Sequence, residues 1–306
     1  MAIELSNLTF TNQDDIIPAS GVEEILNTGI ANTLAGNDVI TGTEGTYSVV
    51  NYGTLNTADG NDIITGTTFS QNSADYTGIV NFASIYTADG NDIITGSART
   101  GILNEGTINT GNGEDSILSQ GRLINRGEIF LGNGNDSITA DKGITNRAIV
   151  NLNVIEMGNG NDIITSNGVL FNQGIIDTGN GEDSIIVNGN LNGIINGGTI
   201  NMGNGNDSLI NDTDLGFLRG LDRGSVFLGN GNDYIKGYGD GIFYGENGND
   251  TLELTSGSYT IGISGTTVNF IKDSTIMETS GFEKLIAGYT TYNFTSLTQG
   301  QTIFVA

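Results

Sequence analysis

Leu131-Gly132-Asn133-Gly134-Asn135-Asp136-Ser137-Ile138 is the clearest copy of a phrase that recurs ten times along the 306 residues. Its central aspartates are Asp38, Asp62, Asp92, Asp115, Asp136, Asp162, Asp183, Asp207, Asp233 and Asp250, spaced by 24, 30, 23, 21, 26, 21, 24, 26 and 17 residues. Numbering outward from each Asp, position −2 is always glycine: Gly36, Gly60, Gly90, Gly113, Gly134, Gly160, Gly181, Gly205, Gly231 and Gly248. Position +2 is always Ile or Leu, from Ile40 to Leu252. Position −7 is apolar in every copy: Ala31, Leu55, Ile85, Ile108, Ile129, Ile155, Ile176, Ile200, Val226 and Phe243. Position −12 is apolar or aromatic throughout, from Leu26 to Tyr238. Position −11 is Asn in eight copies, Asn27, Asn51, Asn81, Asn104, Asn125, Asn151, Asn172 and Asn196, with Asp222 and Gly239 in the last two.

Each unit therefore reads as three short extended segments, exemplified by Ile102-Leu103-Asn104, Thr107-Ile108-Asn109 and Ser116-Ile117-Leu118. β-branched residues fill them, and Gly, Asn and Asp punctuate them. A unit this short cannot bury a core alone, but stacked on copies of itself it can. The expected fold is all-β: a parallel β-helix of about ten rungs with terminal caps, on the order of 48 Å long at ~4.8 Å per rung. The pattern keeps constant length from −13 to +4 in the first nine units. That predicts that length variation falls at a single corner, with the longest excursion near Thr67–Asp75. Three domains follow: 1–24 as an N-terminal cap lacking the pattern, 25–254 as the repeats, and 255–306 as a C-terminal β cap. The Asn column is expected to be a structural ladder, each amide bonding to the next rung.

Composition narrows the chemistry. The chain has 48 Gly, 39 Asn, 1 Pro and no Cys, His or Trp. Without Cys or His there is no disulfide, no thiolate or imidazole metal site, and no Ser-His-Asp or cysteine nucleophile. The net charge of −25 opposes binding to nucleic-acid phosphate and anionic membranes and favours cations. No apolar run is long enough to span a membrane, and Met1-Ala2-Ile3-Glu4-Leu5-Ser6-Asn7 does not read as a secretory leader.

The turn itself supplies hard oxygen donors, the Asp carboxylate and main-chain carbonyls, which suit calcium. In a stacked rod the same turn faces its neighbour on every rung, so ten turns make nine gaps. Two carboxylates ~5 Å apart repel by roughly 3 kcal/mol at an effective dielectric of 20, and Asp59, Asp89, Glu114 and Glu182 deepen the negative field. Cations are thus expected along the column, up to about nine. Interior aspartates, facing two gaps, are expected to matter more than Asp38 at the end.

Gly-Asn-Gly-Asn-Asp-x-Ile resembles the C-terminal part of the calcium-binding RTX (haemolysin-type) nonapeptide, over residues 34–254. The resemblance implies a β-roll-like solenoid with calcium between successive turns. Its ligands would be the ten aspartates and the carbonyls of neighbouring Gly and Asn, including Gly60, Gly90, Gly113, Gly134, Gly160, Gly181, Gly205, Gly231 and Gly248. It further implies secretion by a type I route, using an uncleaved signal within 255–306. The chain departs from that pattern in having one such turn per unit of about 23 residues, which points to one calcium column and a wider, three-sided coil. The functional expectation is a secreted, extracellular or cell-surface calcium-binding protein with a surface-layer, matrix or adhesive role, not an enzyme. Its partners would be calcium, other copies of itself, or extracellular polysaccharide. Two alternatives are a calcium-assisted polysaccharide lyase, with Arg122, Arg126 and Arg147 as the close basic group, and an ice-binding protein. The latter is disfavoured because Thr occupies position −5 in only five copies, Thr33, Thr57, Thr87, Thr110 and Thr178.

Overall fold

In the computed structural model, residues 2–18, 23–68, 76–141, 147–188, 193–211, 217–219 and 223–306 are described. Among them there is no α-helix, only two single 3-10 turns, Leu5–Asn7 and Phe294–Ser296. The chain is an all-β parallel solenoid. Alignment on the aspartate is its physical register: Ile94 pairs with Ile64 and Ile117, Ile117 with Ile138, and Ile108 with Ile85 and Ile129. Nine rung-to-rung steps connect the strands from Ile30–Asn32 to Gly241–Tyr244 among the described residues.

Each rung contributes three strand segments, as expected. The segment after the aspartate and the one ending at the Asn column belong to a 21-stranded sheet, and the third column to a 14-stranded sheet. In two rungs the first pair of segments fuses across the corner into single strands, Ile93–Asn104 and Ser116–Asn125. Positions −7 and +2 line the interior, every member buried. The third wall of the core is position −13, including Ile25, Val49, Ile79, Ile102, Leu123, Ile149, Leu170 and Ile194, all buried. Position −12 forms an outer apolar stripe beside the core, half-buried at Leu103, Ile124 and Ile195 and buried at Val50, Val80 and Val150. Side chains alternate along a strand, so only one of two consecutive apolar residues can point inward. Burying an Ile or Leu side chain is worth roughly 1.5–3 kcal/mol, and the stack repeats it three times per rung.

The Asn column is a continuous buried ladder from Asn27 to Asn196, each Nδ2 donating to the next Oδ1 at 2.8–2.9 Å. Most of these amides also donate to a main-chain carbonyl, as Asn125 does to Val154. This closes the bend between the second and third segments.

The constant spacing fails in the ninth unit. Phe217-Leu218-Arg219 takes the register of Ile194-Ile195-Asn196, three residues earlier than the spacing predicts. The extra residues follow that strand, so length varies at a second corner too. Asp222 lies outside the described residues, as does most of the predicted excursion, 69–75. Beyond them Arg223 pins the end of the rod: it pairs with Asp240 at 3.1 Å and Glu278 at 2.6 Å, and donates to the carbonyls of Gly241 and Ile276.

Both caps continue the pattern more than the sequence suggests. Asp14-Asp15-Ile16-Ile17 forms a partial rung below Asn37-Asp38-Val39-Ile40: Ile16 pairs with Val39, and the amide of Asn37 donates to Asp14 Oδ1 at 2.8 Å. The region 1–24 is therefore not free of the repeat. Gln13 stands at the place of the invariant glycine, which hid it. At the other end Met277–Ser280 and Lys284–Ala287 add parallel to Gly241–Tyr244 and Thr251–Leu254. Antiparallel strands Gly257–Ser264, Thr267–Lys272 and Thr302–Val305 then close the stack around buried Tyr259 and Phe270. Turning the chain antiparallel removes the open parallel edge that another strand would pair with.

Candidate metal column

The turn between the third segment and the aspartate is forced by two positive-φ positions. Position −2 takes φ between 133° and 154° in all ten copies. A Cβ on Gly134 would overlap the carbonyl oxygen of Gly113, and the same overlap recurs for Gly60, Gly90, Gly113, Gly160, Gly181, Gly205, Gly231 and Gly248 against the glycine one rung back. The glycine column is thus a backbone-on-backbone stack, required by space as well as by φ. Position −4 is left-handed in every copy. Six copies have glycine there; the others are Leu34, Ala58, Ala88 and Glu246, at φ 69°, 61°, 67° and 70°.

This backbone buries the ten aspartates, none more than 2% exposed. Their carboxylates behave identically. Oδ1 accepts the main-chain N–H of the aspartate one rung earlier at 2.7–2.9 Å, from Asp15 onto Asp38 through to Asp233 onto Asp250. Oδ2 is buried without a hydrogen-bond partner in all ten. Asp250 in turn donates its amide to Glu283 Oε2 at 2.8 Å, so the acidic column runs from Asp15 in one cap to Glu283 in the other. The threonines at position −5 do not form a face. All five are buried beside the column, and Thr33, Thr87, Thr110 and Thr178 donate their hydroxyls to main-chain carbonyls of the next rung. In the other copies the position is apolar or glycine, for example Leu131, Met157 and Gly245.

Burial, opposed by the amide bond and the nearby threonine where there is one, pushes these carboxyls up. Asp62, Asp162, Asp183 and Asp233 reach about 6, and Asp92, Asp136, Asp207 and Asp250 about 7. Asp38 and Asp115 move in the same direction. Neighbouring aspartates add to the rise for several, as Asp115 and Asp162 do for Asp136.

An orphaned carboxylate oxygen in a dry site demands a donor or a cation. Among the described residues no three acidic side chains converge on one point. Each gap offers one carboxylate, so any cation there would take most of its remaining ligands from main-chain oxygens or water. Each carboxylate bonds through Oδ1 to the preceding rung, and Asp38 does so too, on the cap amide of Asp15. Asp38 is thus placed like the interior aspartates, and the unpartnered Oδ2 atoms among the described aspartates of the column number ten.

Outside the column, the turn presents two exposed rows. At position −3, Asn112, Asn133, Asn159, Asn180, Asn204, Asn230 and Asn247 each donate to the side-chain oxygen one rung back at 2.5–2.9 Å, beginning on Asp89. At position −1, side-chain oxygens such as that of Asn135 accept the main-chain N–H of the next rung. That position −3 is mainly Asn is legible in the repeat; that its side chains bond rung to rung beside a second row at −1 is not.

No protein-family model matches the chain. No curated protein matches it either. Among solved structures it is similar to a hyperactive, Ca2+-dependent, β-helical antifreeze protein from an Antarctic bacterium, with 16% identity and a TM-score of 0.51 over 94% of this chain and 96% of that one. That likeness is one of fold. No helix among the described residues is long and apolar enough to cross a membrane.

Proposed function

We propose that the chain is a secreted calcium-binding protein of structural, matrix or adhesive role, whose rod at neutral pH forms only when calcium fills the aspartate column. The observation that carries this reading is the unbroken run of ten buried Oδ2 atoms without a partner. Calcium is the hard, oxygen-seeking cation that such a set suits, and the Ca2+ dependence of the structurally similar protein supports it. The ligands would be the ten aspartates with main-chain oxygens of the turn glycines and asparagines. When bound, calcium would supply the positive charge that lets every carboxylate stay ionised while buried. Metal binding is then folding free energy, because the site does not exist in the unfolded chain. Where calcium is scarce the chain stays unfolded and fit for export, with 255–306 as the type I signal. Where it is plentiful the rod locks. A calcium titration followed by far-UV circular dichroism tests this: β-signal should rise with calcium at neutral pH and collapse in chelator. The same spectrum and melting point in excess chelator would overturn it.

A second reading, ice binding, is favoured by the paired exposed rows at −3 and −1. They repeat at the rung spacing of ~4.7–4.9 Å, as an ice-binding surface must repeat. The structurally similar antifreeze protein favours it as well. Thermal hysteresis in calcium decides between the two: a freezing-point gap adopts this reading, and its absence retires it.

A further inference from the structure

Four of the chain's ten basic residues, Arg99, Arg122, Arg126 and Arg147, lie on one side of an otherwise acidic rod. Register stacks three of them. Arg99 precedes Thr100, which pairs with Arg122, and Leu123 pairs with Ile149, two residues past Arg147. They therefore occupy three consecutive rungs at the start of the same segment, with Thr100 rather than Arg99 in register with Arg122, and gather positive charge along the long axis. Arg126 is paired with Glu105 at 2.5 Å, but no described carboxylate pairs with Arg122 or Arg147. Among the described residues, Arg122 donates one long bond, 3.3 Å to Thr100 Oγ1, and its buried Nε finds no acceptor. Burial, then the neighbouring Arg99, Arg147 and Arg126, pull it below the ordinary guanidinium value. Arg147, itself exposed, lies with its guanidinium 4.1 Å from the centroid of Phe171, which holds the group by its face. Like charges gathered without counter-charge destabilise the free protein and are relieved by an anion.

We propose that Arg122 and Arg147, with Arg99, form a binding site for a linear carboxylated polysaccharide running along the rod. Forked donors on three successive rungs fit successive carboxylates of an extended polymer better than a single small anion. A second copy of this chain is a poorer match, because its one regular line of carboxylates, the aspartate column, is buried. The site needs no catalytic group and implies no cleavage. It deepens the adhesive reading and rests on the folded rod, so binding is measured only on protein whose β-spectrum in calcium has been verified. Failure to fold in calcium is thereby told apart from failure to bind.

Oligogalacturonate, with a neutral glucan of equal length as control, is titrated into the calcium-loaded chain by calorimetry. Binding to the uronate alone is expected, weakening as salt is raised. The double variant Arg122→Gln/Arg147→Gln should weaken it about tenfold or more, ~1.4 kcal/mol. Lys284→Gln, distant on the C-terminal cap, should leave it unchanged. If the double variant does not fold, Arg147→Gln alone, at an exposed residue, carries the test. Absence of uronate binding by the wild type, equal binding by the arginine variants, or equal binding of the neutral glucan would each overturn the proposal. So would arginine-dependent self-association in place of polymer binding, read by sedimentation.

Discussion

The glycine at −2 is one of the positions on each rung that decide whether the rungs can approach. Gly134→Ala would place a methyl on the Gly113 carbonyl and force a non-glycine residue to φ 147°. The expected loss is about 2–5 kcal/mol, combining backbone strain with overpacking, measurable as a drop in the urea midpoint in calcium. Two positions earlier the sign reverses. Ala58 and Ala88 sit left-handed at φ 61° and 67°, where a Cβ costs ~1–2 kcal/mol. Glycine there should stabilise by about 0.5–1 kcal/mol after the entropy it returns to the unfolded chain; an unchanged or lowered midpoint for Ala88→Gly would contradict this. The aspartates set the pH response. Burial raises all ten, eight of them to about 6 or 7 from the ordinary 3.8, so without metal the folded state binds more protons. Apo stability is full below about pH 4 and is lost as pH rises through 6–7. Calcium should invert this, adding more stability at pH 8 than at pH 5, where protons compete for the same oxygens. Melting curves at both pH values, in calcium-free buffer and in calcium, check both halves.

At the scale of elements, the buried amide ladder and the C-terminal clamp are separable. Asn125→Ala takes the donor from Asn151 Oδ1 and the carbonyl of Val154, and one acceptor from Asn104 Nδ2, and should cost about 1–3 kcal/mol without lowering calcium stoichiometry. An unaltered denaturation midpoint would mean the ladder contributes nothing net. Much of this was readable in advance. Ten copies in register announce the stack, and Asn at one fixed position announces the ladder. Ile25-Leu26, Val49-Val50 and Ile79-Val80 illustrate what was not: with two adjacent apolar residues, alternation has no marker for which one faces in. The partial rung at Asp15-Ile16-Ile17 was hidden by Gln13, and its counterpart by Glu283, a longer side chain reaching the same amide. The three-residue shift at Phe217 was masked because Leu221 happens to satisfy the apolar position at −12. The orphaned Oδ2 atoms were invisible to sequence, since they arise from which side of each carboxylate the neighbouring rung occupies.

At the scale of the whole molecule, the rod is a sum of nearly identical layers, so its stability should depend on how many layers are metal-filled. Calcium stoichiometry by equilibrium titration should approach ten, and Asp15→Ala, in the cap, should not reduce it by removing a carboxylate, because the orphaned oxygen at that end belongs to Asp38. Asp38→Ala should remove one equivalent, as Asp136→Ala should. A loss of two for Asp136→Ala would restore the symmetric picture.

The lean of every carboxylate toward the preceding rung also gives the molecule an arrow. Each layer's oxygen is received by an amide that the chain has already laid down, never by one still to come. Shortening the protein from its C-terminal end therefore takes away a layer together with its own oxygen and leaves every remaining one with a host. Shortening it from the N-terminal end leaves the new first layer with an ionised oxygen and no host beneath it. Two fragments of equal length, cut from opposite ends, are thus unequal objects.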